Sequence, residues 1–263
     1  MSTATHRPAT FDVASTPRTP FVRLVSVELR KLVDTRSGRW LLIVMAALIL
    51  LGSAIFAWAE RDGAVAFFDF TSVAGGVTGF LLPVLAILAV TSEWSQRTNM
   101  TTFTLEPHRE RVVAAKLVAA VVAAVLSIAV AVVIGAVMSG FAALLGADVD
   151  WDPNLEGIAA FTVAQVLGLL VGFALGTLLL NTPAAIVVFF AYFTVIPGLL
   201  NLAGFYFDWF ADVVPWVDFV SAQAPLANGF GGVEWGHLLV SGAIWFVLPL
   251  VLGITRVLRA EVK

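Results

Sequence analysis

The sequence predicts an all-α membrane protein with six transmembrane helices. Of its 263 residues, 60% are apolar and only 13% are charged, whereas a soluble domain is usually about 45–50% apolar and about 25% charged. The apolar residues lie in long runs without a charge, which is typical of helices that cross a bilayer. A membrane β-barrel would show short alternating segments of about 10 residues instead. The chain has no cysteine, which excludes a disulfide framework, a thiolate metal site and a cysteine nucleophile.

The spans follow from the charge-free runs. The predicted spans are residues 40–59, 71–91, 113–138, 157–180, 184–205 and 237–255. Residues 157–207 carry no formal charge, but this run is too long for one span of about 20 residues. A proline donates no backbone hydrogen bond and disfavours helix at the residue before it. We therefore expect the run to divide at Asn181-Thr182-Pro183 into two helices joined by a tight hairpin.

The basic residues predict the orientation of these spans. Of the 15 Lys and Arg residues, all except Arg61 lie on one predicted side of the membrane. The opposite side carries most of the acidic residues. Because basic residues are retained in the cytoplasm, both termini and residues 92–116 should be cytoplasmic. The predicted location is the plasma membrane, as a multi-pass protein.

The first 39 residues precede the membrane domain, which is predicted to comprise residues 40–263. Residues 1–20 are rich in Ser, Thr and Pro and lack the apolar core of a signal peptide, so a disordered cytoplasmic tail is expected. Residues 21–39 are predicted to be an interfacial entry segment, with an amphipathic helix over residues 21–34 on the inner leaflet and a polar turn at 35–38. The apolar stripe of this helix is Val22, Val25, Leu29 and Leu32. Such a helix is either a basic anchor or a lever toward a cytoplasmic partner.

Residues 92–116 form the only sizeable cytoplasmic loop of the predicted topology. The loop mixes charges with Trp94, Met100, Phe103 and Leu105, which are residue types that are usually buried. Pro107 should end one short helix, and Glu110 should open the long third span. A plain connector would not need this mixture, so the loop is predicted to contain a short helix with a function.

The outward loop, residues 205–235, is rich in aromatic residues interleaved with aspartates. This mixture suits the depth of the lipid headgroups. Pro215 and Pro225 divide the loop, which favours one or two short re-entrant helices before the sixth span, packed against protein. The alternative is a plain interfacial loop.

Two glycine patterns predict close helix packing. Gly168, Gly172 and Gly176 recur every four residues on the fourth span, and Gly75 and Gly79 do so on the second. Small residues at this spacing let helices approach closely. Packing within one subunit is favoured over a dimer face.

Several kinds of chemistry find no support in the sequence. No lysine follows a glycine, so a phosphate-binding Gly-Lys-Ser/Thr loop is absent. His6, His108 and His237 are not in metal-ligand spacing. No charged residue lies deep in a predicted span, which argues that any energy for transport comes from outside this chain. Gln165 and Asn201 are the main polar residues of the spans, and both are expected to join helices.

One segment resembles a known family. The stretch between the second and third spans resembles the corresponding segment of ABC-2 type transporter permeases, through Glu93-Trp94, Thr101-Thr102, Leu105, Pro107, Arg111 and Lys116. Residues 28–32 (Glu-Leu-Arg-Lys-Leu), followed by Arg36, resemble the helix by which chains of this family enter the membrane. The resemblance extends over residues 21–263.

This resemblance implies a permease subunit of an exporter for a lipid, an amphiphilic drug or a peptide. A separate ATPase chain would hold ATP and magnesium, so this chain would need no cofactor and would not be an enzyme. A second permease copy, identical or related, would complete the pathway, with spans two and five at the interface. Nucleic acid is not an expected partner.

The resemblance also assigns site residues. The segment between spans two and three would be a coupling helix docked on the ATPase, and the interfacial helix would lie beside it. The coupling residues would be Glu93, Trp94, Phe103, Leu105, Pro107, Arg109 and Arg111, with Glu28, Arg30 and Lys31 on the interfacial helix.

Two other functions are compatible with six spans. An intramembrane enzyme would need polar catalytic groups that converge at membrane depth, and the sequence offers none. A non-transporting subunit that anchors or senses for a complex stays open. The association of an ATPase with this chain would distinguish the permease from such a subunit.

Overall fold

The computed structural model describes residues 19–259 except positions 97, 99, 101, 103, 105 and 107. Six of the described helices are long and apolar enough to cross a membrane, which confirms the prediction of six spans and indicates a multi-pass membrane protein. Residues 1–18 of the predicted tail, which comprises residues 1–20, lie outside the described residues. In chain order, the described elements are α1 (Phe21–Asp34), α2 (Arg36–Ala59), β1 (Ala64–Ala66), α3 (Phe67–Ser95), α4 (Arg109–Leu145), β2 (Asp148–Asp150), α5 (Leu155–Leu179), α6 (Thr182–Tyr206), α7 (Asp208–Ala211), α8 (Val214–Val217), α9 (Phe219–Gln223), a 3-10 turn (Ala224–Asn228) and α10 (Trp235–Arg259).

The break between α1 and α2 is shorter than predicted. Only Thr35 leaves the helical conformation (φ −71°, ψ 143°), and its hydroxyl accepts a hydrogen bond from the Gly38 amide at 3.3 Å. A threonine cap of this kind starts a new helix at once, so the predicted turn at residues 35–38 is wrong beyond Thr35. Gly38 is required in this bend, because a Cβ there would lie 2.0 Å from the Leu32 carbonyl oxygen.

The fourth and fifth spans separate where the sequence suggested. Leu180 adopts a left-handed conformation (φ 51°), and the Asn181 side chain caps α6 by accepting from the Ala184 amide at 3.0 Å. Pro183 then sits in the first turn of α6, where a missing amide hydrogen has no cost. The break therefore falls at residues 180–181.

The third helix is longer than the predicted span of 113–138, although its first residue agrees within one position with the predicted opening at Glu110. Helix α4 begins at Arg109 and continues for 37 residues to Leu145. Gly146 ends it with φ 116°, the left-handed conformation that glycine adopts without steric cost. The extra turns at both ends carry α4 beyond a bilayer core of about 30 Å, since 37 residues span about 55 Å.

Helix α3 lies at the centre of the bundle and packs against α2, α4 and α5. Its closest neighbour is α5, because a Cβ on Gly172 would lie 2.5 Å from the Pro83 carbonyl oxygen. The Gln165 amide also joins these helices by donating to the Gly75 carbonyl at 3.0 Å and to the Thr78 hydroxyl at 2.9 Å. The predicted joining role is thus confirmed for Gln165. It is wrong for Asn201, whose amide donates within its own helix to the Pro197 carbonyl at 2.7 Å.

The two ends of the bundle differ in charge. The basic end comprises α1, the described residues of 96–108, and Arg256 and Arg259 of α10. The acidic end comprises β1, β2 and residues 207–234. There β1 and β2 form a parallel pair in which Ala64, Val65 and Ala66 face Asp148, Val149 and Asp150. The predicted outward loop contains α7, α8, α9 and the 3-10 turn, which is more short helices than the one or two expected.

Candidate functional site

Four charged side chains meet at the basic end. Glu28 and Lys31 come from α1, Glu93 from α3 and Lys116 from α4. The Lys31 ammonium lies 2.7 Å from a carboxylate oxygen of Glu28 and 2.7 Å from one of Glu93. The Lys116 ammonium lies 2.7 Å from the other oxygen of Glu28 and 3.1 Å from Glu93. We call these four residues the charge cluster.

Three members of the charge cluster are buried. The side chains of Glu28, Glu93 and Lys116 are 9%, 11% and 7% exposed, and that of Lys31 is 37% exposed. Each ammonium lies between two carboxylates, and Lys116 also donates to the Ala89 carbonyl at 3.1 Å. Buried charges are tolerated when their partners are satisfied in this way. The cluster therefore joins three helices and balances two ammonium groups against two carboxylates.

The surroundings of Lys31 favour its charged form. Burial alone would lower the pKa of Lys31, but hydrogen bonds and attraction from Glu28 and Glu93 outweigh it and raise the pKa above the ordinary 10.5. Opposite charges within hydrogen-bonding distance have this effect. The ammonium is thus held charged where it contacts the two carboxylates.

The buried face of α1 departs from the predicted apolar stripe. Leu32 is buried, whereas Val22 at the start of the stripe is 76% exposed. Glu28 is the other buried residue of α1, and it lies one turn before Leu32 on the same face. A carboxylate occupies this face because Lys116 of α4 meets it there.

Lys116 is the member of the cluster that sequence reasoning did not identify as a site residue. It stands on α4 among buried neighbours, with Val112 one turn before it and Ala119 and Ala120 one turn after it. A lysine within such an apolar face signals a buried ion pair. Its partner depends on the tertiary fold and could not be read from spacing.

A second group of polar contacts holds the chain just before α4. Glu106 is buried, accepts from Arg111 at 2.9 Å and lies 3.0 Å from His108. Burial alone would raise the pKa of Glu106, but the hydrogen bond with His108 and the charge of Arg111 lower it below its ordinary value. Arg111 also donates to the Thr19 carbonyl at 2.7 Å, which ties the residues before α1 to this segment. Glu106 was not predicted as a site residue.

The remaining predicted residues divide into three groups. Arg109 donates to the Val257 carbonyl at 2.9 Å, so it joins the start of α4 to the end of α10. Trp94 is partly buried against the main core, and Arg30 is exposed. Phe103, Leu105 and Pro107 lie outside the described residues.

The segment between α3 and α4 is helical where it is described. Met100, Thr102 and Thr104 have helical conformation, and the Glu106 amide donates to the Thr102 carbonyl at 3.0 Å. The Thr102 hydroxyl donates to Glu93 at 3.2 Å, which connects this segment to the charge cluster. A cavity of about 530 Å³ lies between α1, this segment and the ends of α3 and α4.

The arrangement at the basic end is suited to mechanical coupling between helices. Among the described residues, no group of three or more His, Cys, Asp or Glu side chains could hold a metal ion. Each cluster carboxylate contacts both lysine ammonium groups. What the contacts do is fasten α1 and the 98–106 segment to α3 and α4.

Comparison of the chain with models of known protein families and with curated protein sequences found no match.

Proposed function

We propose that this chain is the membrane-spanning permease subunit of an ABC exporter that works with a separate ATPase. The charge cluster is the observation that carries the proposal. It fastens α1 to the ends of α3 and α4, and Thr102 extends it to the 98–106 segment. A force applied to α1 or to this segment would therefore move two spans together.

The distribution of charge along the spans supports an external source of energy. In the described part of the chain, the charged residues of α2 to α6 and α10 lie near the helix ends. Proton- and ion-coupled transporters use ionisable side chains within their spans. A transporter without them must receive its work from a partner, here an ATPase at the basic end that holds the ATP and magnesium.

The proposal includes the substrate class, the assembly and the location. An apolar interior suits export of a lipid, an amphiphilic drug or a peptide. A second permease copy would complete the pathway, and the basic end would face the cytoplasm at the plasma membrane. The coupling contacts would come from residues 93–111, with Phe103 and Leu105 as apolar anchors, because interface energy concentrates in few buried residues.

The first test is purification of the tagged chain from its native membrane. We expect a magnesium-dependent ATPase activity to accompany the chain. The chain separated from that partner should not bind ATP, because it lacks a cradle of backbone amides and lysine for the phosphates. If no ATPase activity accompanies the wild-type chain, the permease function is wrong and the anchoring or sensing subunit takes its place.

The second test concerns the coupling residues. Replacing both Phe103 and Leu105 with Ser should abolish ATPase association and transport while membrane insertion and expression stay unchanged. Leu144→Ser is the control, since this leucine is 87% exposed and lies at the acidic end of α4, away from both candidate coupling segments. Normal association of the double variant would move the coupling role to residues 21–34.

A further inference from the structure

A second cavity, of about 360 Å³, opens on the side of the bundle nearer to the acidic end, with Ser72 and Gly76 exposed at its mouth. Its walls come from α3, α5, α6, α9 and the 3-10 turn, all within one chain. Gly79, the last lining residue of α3, is twelve residues from the start of that helix at Phe67, so the cavity reaches about 18 Å along it at about 1.5 Å per residue. This places it within the half of the spans that adjoins the acidic end.

Glycines create much of the cavity. Gly75, Gly76, Gly79 and Gly168 all line it. A Cβ added to Gly76 would meet no atom within 4 Å, and one added to Gly168 would make only an ordinary contact with Pro83 at 3.8 Å. Larger residues would fit the backbone at these positions, so packing alone does not require glycine there. The volume beside Gly76 and Gly168 is nevertheless not filled by any side chain of the described residues.

A carbonyl oxygen of Gln165 faces this space. The Gln165 amide nitrogen donates to the Gly75 carbonyl and to Thr78. The Gly75 carbonyl can only accept, which fixes the amide orientation and turns the oxygen the other way. A Cβ on Gly79 would lie 3.6 Å from this oxygen. The oxygen has no hydrogen-bond partner among the described residues.

Two more polar groups line the cavity without a partner. The Tyr192 hydroxyl makes no hydrogen bond to any described residue, although Tyr192 is only 3% exposed. The Gln223 amide nitrogen donates to the Phe219 carbonyl at 2.9 Å, and its oxygen has no partner in the described part of the chain. An apolar cavity with a few convergent polar groups is the usual form of a small-molecule site.

No charged residue lies among the described residues that line the cavity. The nearest acidic residue in sequence is Asp218, two residues before Val220 of the wall. Its carboxylate already accepts from the Val220 and Ser221 amides and from the Ser221 hydroxyl. An anionic headgroup would therefore enter without a counter-charge, which is unfavourable in an apolar site.

We propose that this cavity binds an uncharged lipid through a hydroxyl group, as in a monoacylglycerol or a sterol. The hydroxyl donates to the Gln165 oxygen, and the apolar part occupies the glycine-lined space. A lipid without a donor would leave the buried acceptors unpaired, which is costly. The residues that line the site all come from one chain, although two of its walls, α3 and α6, are the spans that the proposed permease would place at its subunit interface. The inference needs neither a second copy nor an ATPase, so its failure can be distinguished from a failure of the proposed function.

The test is photolabelling in phosphatidylcholine vesicles with a monoolein that carries a diazirine in its acyl chain. Label in the wild-type protein should map to residues 72–79 and 161–168. Gly76→Leu fills the cavity and should lower this labelling at least tenfold. The matched control is Gly198→Leu on α6, where an added Cβ also meets no atom within 4 Å but which lies outside the cavity.

Competition measures the role of the hydroxyl. Unlabelled monoolein should compete, whereas methyl oleate, which has no donor, and oleate, which is charged, should compete at least tenfold less well. Tyr192→Phe should weaken labelling without changing where it maps. Equal labelling of wild type and Gly76→Leu, or equal competition by all three lipids, would overturn the proposal.

The source of the lipid is a separate measurement on the same proteins. A hydroxyl lipid extracted from purified wild type but not from Gly76→Leu would identify a resident membrane lipid. Probe binding without such an extracted lipid would identify a ligand that is delivered to the site. If Gly76→Leu does not fold, the positions labelled in the wild-type protein and the competition series decide whether the cavity binds a hydroxyl lipid.

Discussion

At the scale of residues, the charge cluster makes Lys116 and Lys31 unequal. Lys116 is buried between the carboxylates of Glu28 and Glu93, whereas Lys31 bonds the same two groups from a partly exposed position. Removing a buried partner leaves uncompensated charge in the protein, but removing an exposed one lets water take its place. Lys116 should therefore stabilise the joint more than Lys31 does.

Replacing Lys116 with Met tests this inequality. We expect Lys116→Met to lower the free energy of unfolding by about 3–5 kcal/mol, the usual cost of breaking a buried ion pair. Lys31→Met should cost clearly less, and Arg30→Met should change little because Arg30 is exposed. Denaturant titration in detergent measures all three. A loss no larger for Lys116→Met than for Arg30→Met would contradict the prediction.

The sequence predicted part of this site and missed part of it for physical reasons. Glu28, Lys31 and Glu93 were predicted as site residues, and the structure brings all three together. Glu28 and Lys31 are three residues apart on one helix, so local spacing already relates them. Lys116 is 88 residues from Glu28 along the chain. Only the packing of α1 on α4 makes them partners, and no periodicity contains that information.

At the scale of elements, the close contact between α3 and α5 depends on Gly172 more than on Gly168. A Cβ on Gly172 would lie 2.5 Å from the Pro83 carbonyl oxygen and 2.8 Å from its Cα. Both atoms are backbone and cannot move aside as a flexible side chain would. A Cβ on Gly168, one turn earlier, would make an ordinary contact at 3.8 Å.

Gly172→Ala should therefore destabilise the protein, while Gly168→Ala should not. Overpacking of this kind costs about 1–3 kcal/mol, whereas alanine at an uncrowded helical position is favoured over glycine by about 1 kcal/mol. Thermal unfolding in one detergent compares the two variants directly. Equal midpoints for both would show that α3 and α5 separate more easily than their packing implies.

The boundaries of helices were predicted best where residues within a single turn determine them. The division of spans four and five follows from Pro183 and the Asn181 cap, and both act within a single turn. The turn after α1 was predicted too long because Thr35 caps α2 directly, which a polar run of four residues does not reveal. The start of α4 at Arg109 agrees with the predicted opening at Glu110, but its carboxyl end was placed seven residues too early, because the helix continues from 138 to Leu145 before Gly146 ends it.

At the scale of the whole molecule, the basic and acidic ends predict one orientation in the membrane. Because the chain has no native cysteine, single introduced cysteines report on each end. Asp150→Cys on exposed β2 should react with an impermeant maleimide from outside intact cells. Ser26→Cys on exposed α1 should react only after the membrane is opened. The reverse pattern would invert the topology.

The short pair of β1 and β2 joins the α2–α3 hairpin to the α4–α5 hairpin at the acidic end. The join runs through the backbone, and the Asp148 amide extends it by donating to the Gly63 carbonyl at 3.0 Å. The same two hairpins meet again at the basic end, where the Lys116 ammonium of α4 lies 3.1 Å from the Glu93 carboxylate of α3. The 29 residues of α3 extend about 43 Å, so a rotation of one hairpin by about 5° about the strands would displace its far end by roughly 4 Å. Such a rotation would therefore have to break the charge cluster, which makes the cluster a latch that holds the two hairpins closed.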